Sequence, residues 1–270
     1  MKTIKRIALR ALLAIAALYV VLLALLYFLQ RKLFYNNRDP SSYTAASLGL
    51  SGVRDVVIET HDGEKLRALY LPAEAGRATV LYLHGSRGYL PDRADRMKLL
   101  AAEGNGVLFP SYRGYSGSTG QPTEDGLMED ARSAYGWLVR EAPGGKIILY
   151  GESLGTGVAV KIATERPAAA VVLDAPYTTA ADAMANLLPW VPISALMKDQ
   201  YRSIDWIKDI HAPLLVLHGD ADRNVPIAQG ERLFQLAPEP KRFIRIEGGE
   251  HGDNLEHANK EVVQFLRSVE

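Results

Sequence analysis

Lys146-Ile147-Ile148-Leu149-Tyr150-Gly151-Glu152-Ser153-Leu154-Gly155-Thr156-Gly157 is the stretch whose reading decides the fold. A short apolar run meets a serine that has glycine two positions before it and two after it. A helix-like segment follows from Gly157 to Glu165. The order is strand, sharp turn, helix, with Ser153 at the apex. A nucleophile at such an elbow takes a strained backbone conformation, and side chains at the two flanking positions would collide with the returning chain. The serine oxygen is lifted clear of the sheet. The next helix aims free N–H groups and partial positive charge at the place where an oxyanion would form. The competing reading is a chance G-x-S-x-G in a glycine-rich loop; the flanking strand and helix signals weigh against it.

Outward from the elbow, strand and helix signals alternate. Val53–Glu59 and Leu66–Leu71 flank His61-Asp62-Gly63, a turn signature that predicts an opening hairpin. Ala78–Leu83, Gly106–Pro110, Ile147–Tyr150, Ala170–Leu173, Leu214–Leu217 and Arg242–Ile246 read as strands. Between and after them, Arg93–Ala102, Thr123–Arg140, Ile227–Leu236 and Leu255–Val269 read as helices. Thr123 can cap its helix, with Glu124 and Asp125 suiting the first turn. Apolar strands separated by helices predict a mostly parallel sheet with helices on both faces, and ligands gather at the carboxyl edge of such sheets. The segment from Tyr177 to His211 is too long for an ordinary connection. Rich in Leu, Trp, Val and Ile and interrupted by Pro189 and Pro192, it reads as a small helical cap above the elbow. A helix pair packed on the core is compatible with that. Tyr177, Leu188 and Trp190 from this segment, together with Arg87, are the candidate substrate contacts.

A serine needs a base, and the base needs an orienting acid. His251 lies between the last strand and the last helix, on a loop able to place its imidazole over the elbow. His61 falls in the hairpin turn, His211 ends the cap, and His257 falls on a helix face. His84 reads as a hydrogen-bonder that fixes its own loop. Asp222, after Leu214–Leu217, is the preferred acid. Asp174, at the end of the strand that follows the elbow helix, is the alternative, and Asp220 is read as holding the loop. The candidate oxyanion donors are the backbone N–H groups of Leu154 and Ser86, the latter in His84-Gly85-Ser86-Arg87-Gly88. Ser153, Asp222 and His251 occur in the chain order of an α/β-hydrolase.

The chain from about Val53 onward resembles the α/β-hydrolase superfamily. More narrowly, it is similar to membrane-anchored serine hydrolases of the small-cap branch, which includes acyl-protein thioesterases and lysophospholipases. The resemblance rests on Leu81-Tyr82-Leu83-His84-Gly85, Ser111-Tyr112-Arg113-Gly114-Tyr115-Ser116-Gly117-Ser118-Thr119-Gly120-Gln121-Pro122, the elbow, and Pro213-Leu214-Leu215-Val216-Leu217-His218-Gly219 running on to Asp222-Arg223-Asn224-Val225-Pro226. It implies Ser153, Asp222 and His251 as the triad and Ser86 and Leu154 as oxyanion donors. Ser86-Arg87 departs from the Asn-Ala usual in the branch. A backbone donor survives that change, and Arg87 either meets an anionic head group or is solvated.

The N-terminus differs from the rest. Lys2, Lys5, Arg6 and Arg10 precede Ala11–Leu29, a run without a charged residue. At 1.5 Å per residue that run spans roughly 28 Å, close to a hydrocarbon core. Tyr27, Phe28, Arg31, Lys32, Phe34 and Tyr35 suit an interface. The exit is a poor signal-peptidase site, so residues 1–35 read as an uncleaved single-pass anchor, 36–52 as a linker, and 53–270 as the hydrolase domain with its cap at about 177–211. The basic residues lean toward a catalytic domain outside the cytoplasm of a bacterial inner membrane.

Zero net charge over 270 residues gives no reason to expect a nucleic-acid partner. The absence of cysteine excludes thiol catalysis and zinc-thiolate sites. No Gly-Lys-Ser/Thr follows the glycines, which removes a P-loop, and His251, Asp253 and His257 match no metal-ligand spacing. No cofactor is expected. These readings predict a serine hydrolase of esters or thioesters, acting on a small-molecule or acylated, lipid-like substrate. The alternatives are a serine peptidase and a catalytically silent, membrane-tethered binding module.

Overall fold

Five-residue apolar runs such as Thr79–Leu83 have no polar face, so they are stable only with both sides covered. That condition is met. The computed structural model describes residues 2–35, 43–87, 94–252 and 254–269. Arg93, Gly88, Asp253 and the 36–42 part of the expected linker lie outside the described residues. The sheet is built from β1 (Arg54–Glu59), β2 (Lys65–Leu71), β3 (Thr79–Leu83), β4 (Gly106–Pro110), β5 (Ile147–Glu152), β6 (Ala170–Asp174), β7 (Leu214–Gly219) and β8 (Lys241–Ile246). Its order is β1-β2-β4-β3-β5-β6-β7-β8. β1 and β2 form the predicted antiparallel hairpin, β2 pairs antiparallel with β4, and every other pairing is parallel.

Successive residues of a strand point to opposite faces. Leu81, Leu83, Leu149, Val171 and Leu173 enter one buried cluster, with α3 (Glu124–Glu141) and α4 (Leu154–Glu165). Val80, Tyr82, Ile148, Tyr150 and Val172 enter the other, under α2 (Ala94–Ala101) and the C-terminal helix. Tyr82 stacks between Phe109 and Tyr150, which locks β4, β3 and β5 in register on that face. Thr123 caps α3 as expected, its hydroxyl accepting from the Gly126 N–H at 3.0 Å.

Several boundaries differ from expectation. The elbow helix starts at Leu154, not Gly157, because Gly155 and Gly157 are there for close packing and do not delay the helix. The cap contains three short helices, α5 (Ala180–Leu187), α6 (Ile193–Leu196) and α7 (Ser203–Trp206), split by the prolines and turns between them. α8 spans Ile227–Leu236 as predicted. The closing helix is broken at Ala258 into α9 (Asn254–His257) and α10 (Asn259–Ser268). The described part of the expected linker is packed: Ala45 and Leu50 are buried, and the Ala45 N–H donates to the Asp55 carboxylate. The apolar N-terminal stretch forms α1 (Lys2–Phe34), long and apolar enough to cross a membrane.

Arg113, inside the Ser111–Pro122 motif, has a structural task. It pairs with buried Asp130 of α3 at 2.8 Å and with Asp62 of the β1–β2 turn at 2.7 Å. The hairpin turn is thereby clamped to α3.

Candidate active site

β5 ends at Glu152, and Ser153 turns the chain with φ 49° and ψ −116°. Such a backbone costs a non-glycine residue of order 1–3 kcal/mol and persists only where the surroundings enforce it. Here they do. The Ser153 N–H donates to the Asp174 carbonyl at 2.8 Å, and the Ser153 carbonyl accepts from the Thr156 N–H and hydroxyl. A Cβ on Gly155 would lie 1.9 Å from the Leu83 carbonyl oxygen, and one on Gly151 would lie 2.5 Å from the Gly155 oxygen. Both glycines are therefore set by close approach of backbone to backbone.

His251 and Asp222 arrive on the loops after β8 and β7. His251 Nε2 is 2.9 Å from Ser153 Oγ, and Nδ1 is 2.7 Å from Asp222 Oδ2. The other Asp222 oxygen accepts from the N–H groups of Asn224 and Val225 at 2.8 and 2.9 Å. Burial by itself would raise this carboxyl, but the contact and charge of His251 and the two amides outweigh it and hold it below the ordinary range. Asp220 accepts from the Gly248 N–H and from Arg245, tying the two loops together, and the His218 ring pairs with the Val225 carbonyl at 2.8 Å.

Asp174 takes no part in this chain of contacts. It accepts from Tyr150 Oη at 3.0 Å and Asn254 Nδ2 at 2.7 Å. His84 accepts the Tyr112 N–H at Nε2 and donates from Nδ1 to the Gly85 carbonyl, as a residue fixing its own loop should. That loop runs against the elbow, since a Cβ on Gly85 would lie 3.3 Å from the Ser153 Cβ. The Ser86 carbonyl accepts from Tyr115 Oη, and Leu154 opens α4.

The candidate substrate contacts are placed differently from the expectation. Tyr177 is sealed in the core, its hydroxyl donating to the Leu154 carbonyl at 3.0 Å, so it braces the elbow helix and offers no open surface. Leu188 faces α1, and the Trp190 carbonyl accepts from Tyr19 of α1. Leu188 is turned toward the N-terminal helix because the cap packs on it, whereas the Trp190 side chain is exposed. Arg87 is exposed.

A buried polar network beneath the site went unread in the sequence. Arg96 of α2, only 3% exposed, pairs with Glu152 at 2.9 Å, bonds Tyr82 Oη at 3.0 Å and donates to the Gly252 carbonyl. It thus bridges the residue before Ser153 and the residue after His251. Burial pushes the neighbouring Asp174 carboxyl up to about 6, against the pull of Arg96. Glu152 was the available signal: a carboxylate in an otherwise apolar, central strand demands a buried partner.

A family model described as "Serine aminopeptidase, S33" matches residues 74–203, a range that contains Ser153 and stops short of Asp222 and His251. The uncharacterised protein Rv2307c of Mycobacterium tuberculosis is 40% identical over 253 residues, covering 90% of this chain and 89% of that one. Lysophosphatidylserine lipase ABHD12 of Macaca fascicularis is 28% identical over 194 residues, or 63% of this chain and 48% of that one. Among solved structures, the Pyrococcus furiosus esterase PF2001 superposes with a TM-score of 0.70 at 22% identity, covering 84% of this chain and 94% of that one.

Proposed function

The chain belongs to the α/β-hydrolase superfamily, and from that premise we propose that it is a serine hydrolase cleaving esters or thioesters of lipid-like substrates. The observation that carries the proposal is the contact chain Ser153–His251–Asp222, at 2.9 and 2.7 Å. In this reading Ser153 Oγ attacks the acyl carbon while His251 Nε2 takes its proton. Asp222 holds the imidazole with Nδ1 protonated and stabilises its charge. The backbone N–H groups of Leu154 and Ser86 receive the oxyanion; loss of one such donor typically costs about 10²–10³ in turnover. His251 returns the proton to the leaving group, then activates the water that releases the acid. The lipase activity named for the ABHD12 relative and the apolar cap favour an acyl substrate. The reading includes a membrane anchor at α1, whose Ala11–Leu29 run carries no charge.

A fluorophosphonate probe tests the proposal. The wild-type chain should label, and Ser153→Ala should not. A folded wild type that stays unlabelled, or equal labelling of Ser153→Ala, rejects it. The family model's description favours a second reading, a serine aminopeptidase. Turnover of a peptide anilide without turnover of p-nitrophenyl esters would establish that reading instead.

A further inference from the structure

α1 does more than extend from the domain. The cap packs along it: Tyr19 Oη donates to the Trp190 carbonyl at 2.7 Å, Gln30 donates to the Leu196 carbonyl at 3.1 Å, and Arg31 pairs with Asp199 at 2.7 Å. Tyr19 and Arg31 are 12 positions apart in one helix, which is roughly 18 Å along its axis. Arg31 follows the uncharged run, so its level is that of a membrane interface. The cap tip therefore reaches about 18 Å down the apolar part of the same helix. Its sequence suits that depth. Residues 183–197 contain no charged side chain, and Leu187 and Trp190 at the tip are exposed.

Between α1 and the cap lies a groove of about 100 Å³, narrower than the roughly 300–1,000 Å³ of sites for drug-sized ligands. Leu26 and Phe34 form one wall, and Met184, Leu188, Val191 and Met197 the other. Gln30, Arg31 and Asp199 supply polar groups beside them. Phe34 and Met197 pack on the same buried cluster as Leu154 and Val158 of the elbow helix. Tyr35 and Tyr201 join the two walls by a hydroxyl–hydroxyl bond at 2.8 Å.

We propose that this groove binds one acyl chain of a membrane lipid, drawn sideways from the leaflet that surrounds α1. Wall, depth and polarity select this occupant. One wall is the helix that lipid surrounds, the tip carries no charge to keep it in water, and the polar groups fall near Arg31, at the level of lipid head groups. The use of that chain as substrate rests on the hydrolase reading above; its binding does not.

Full-length protein in phosphatidylcholine nanodiscs is irradiated with a C16 fatty acid bearing a mid-chain diazirine, and adducts are mapped by mass spectrometry. Adducts should concentrate on residues 26–34 and 184–197. Val191→Trp, which fills the groove, should cut that labelling about tenfold or more while leaving the circular-dichroism melting curve cooperative. Adducts spread along the whole of α1 without enrichment on the cap overturn the proposal, as does undiminished cap labelling in Val191→Trp. If Val191→Trp does not fold, the wild-type map alone decides. Hydrolysis of p-nitrophenyl butyrate by the wild type is measured in parallel. Groove labelling without hydrolysis sinks the hydrolase reading and leaves the groove. Hydrolysis without groove labelling does the reverse.

Discussion

Ser153 holds a backbone that serine rarely adopts, and its neighbours account for it one by one: Gly155 admits the Leu83 carbonyl, and Gly151 admits the turn itself. The same detail separates the two aspartates that sequence alone leaves in competition. Asp222 reaches His251, whereas Asp174 reaches Tyr150 and Asn254. Asp222→Asn should therefore lower kcat about 10⁴-fold through the wrong imidazole tautomer, and Asp174→Asn should keep most of its turnover. The reverse pattern in ester kinetics would falsify the assignment. Asp174 also predicts a pH dependence. Burial places its carboxyl at about 6 against an ordinary 3.8. The folded chain then binds more protons than the unfolded chain between about pH 4 and 6, so the stabilisation is complete below that window and is lost as pH rises through it. The melting temperature of the wild type relative to Asp174→Asn should fall from pH 4 to pH 7. A pH-independent difference would remove Asp174 from this role.

Elements were legible where one physical signal dominates. The five fully buried strands, β3 to β7, read as mostly apolar runs, and α3 and α8 as capped or amphipathic helices, because burial on both faces or one face leaves that pattern in any sequence. The first turn of α4 was missed because glycines that serve close packing look like helix breakers. Arg96 was missed because a charge on an amphipathic helix looks like any solvated charge until its partner is known. That partner is Glu152, and the pair predicts a coupling. Arg96→Met should destabilise the fold by about 3–5 kcal/mol, since it removes the cation that pairs with a buried carboxylate. Adding Glu152→Gln should recover a substantial part of that loss, measured by urea denaturation. Additive losses in the double variant would mean that the two residues act separately.

For the whole molecule, the core is split into two layers by the sheet, and the cap is joined both to the elbow helix and to α1. Thr178 and Tyr201 carry the cap on the core, the latter against Gly157. Arg31, Gln30 and Tyr35 carry it on α1. If α1 is a bilayer anchor, alkaline carbonate should leave the full-length chain in the membrane pellet, because an apolar span is not released by breaking electrostatic contacts. Recovery in the supernatant would reduce α1 to a peripheral or cleaved segment.

Sequence by itself determined the strand–turn–helix at Ser153, the parallel sheet around it and the uncharged N-terminal run, since each is a local pattern of size, polarity and backbone freedom. It narrowed the acid to two aspartates and the base to one histidine. Only the tertiary structure decided where Tyr177, Leu188 and Trp190 face, that Arg96 links Glu152 to the His251 loop, and that the cap leans on α1. Those are contacts between residues up to 171 positions apart. Their partners are chosen by how whole elements pack, and no local pattern records that choice.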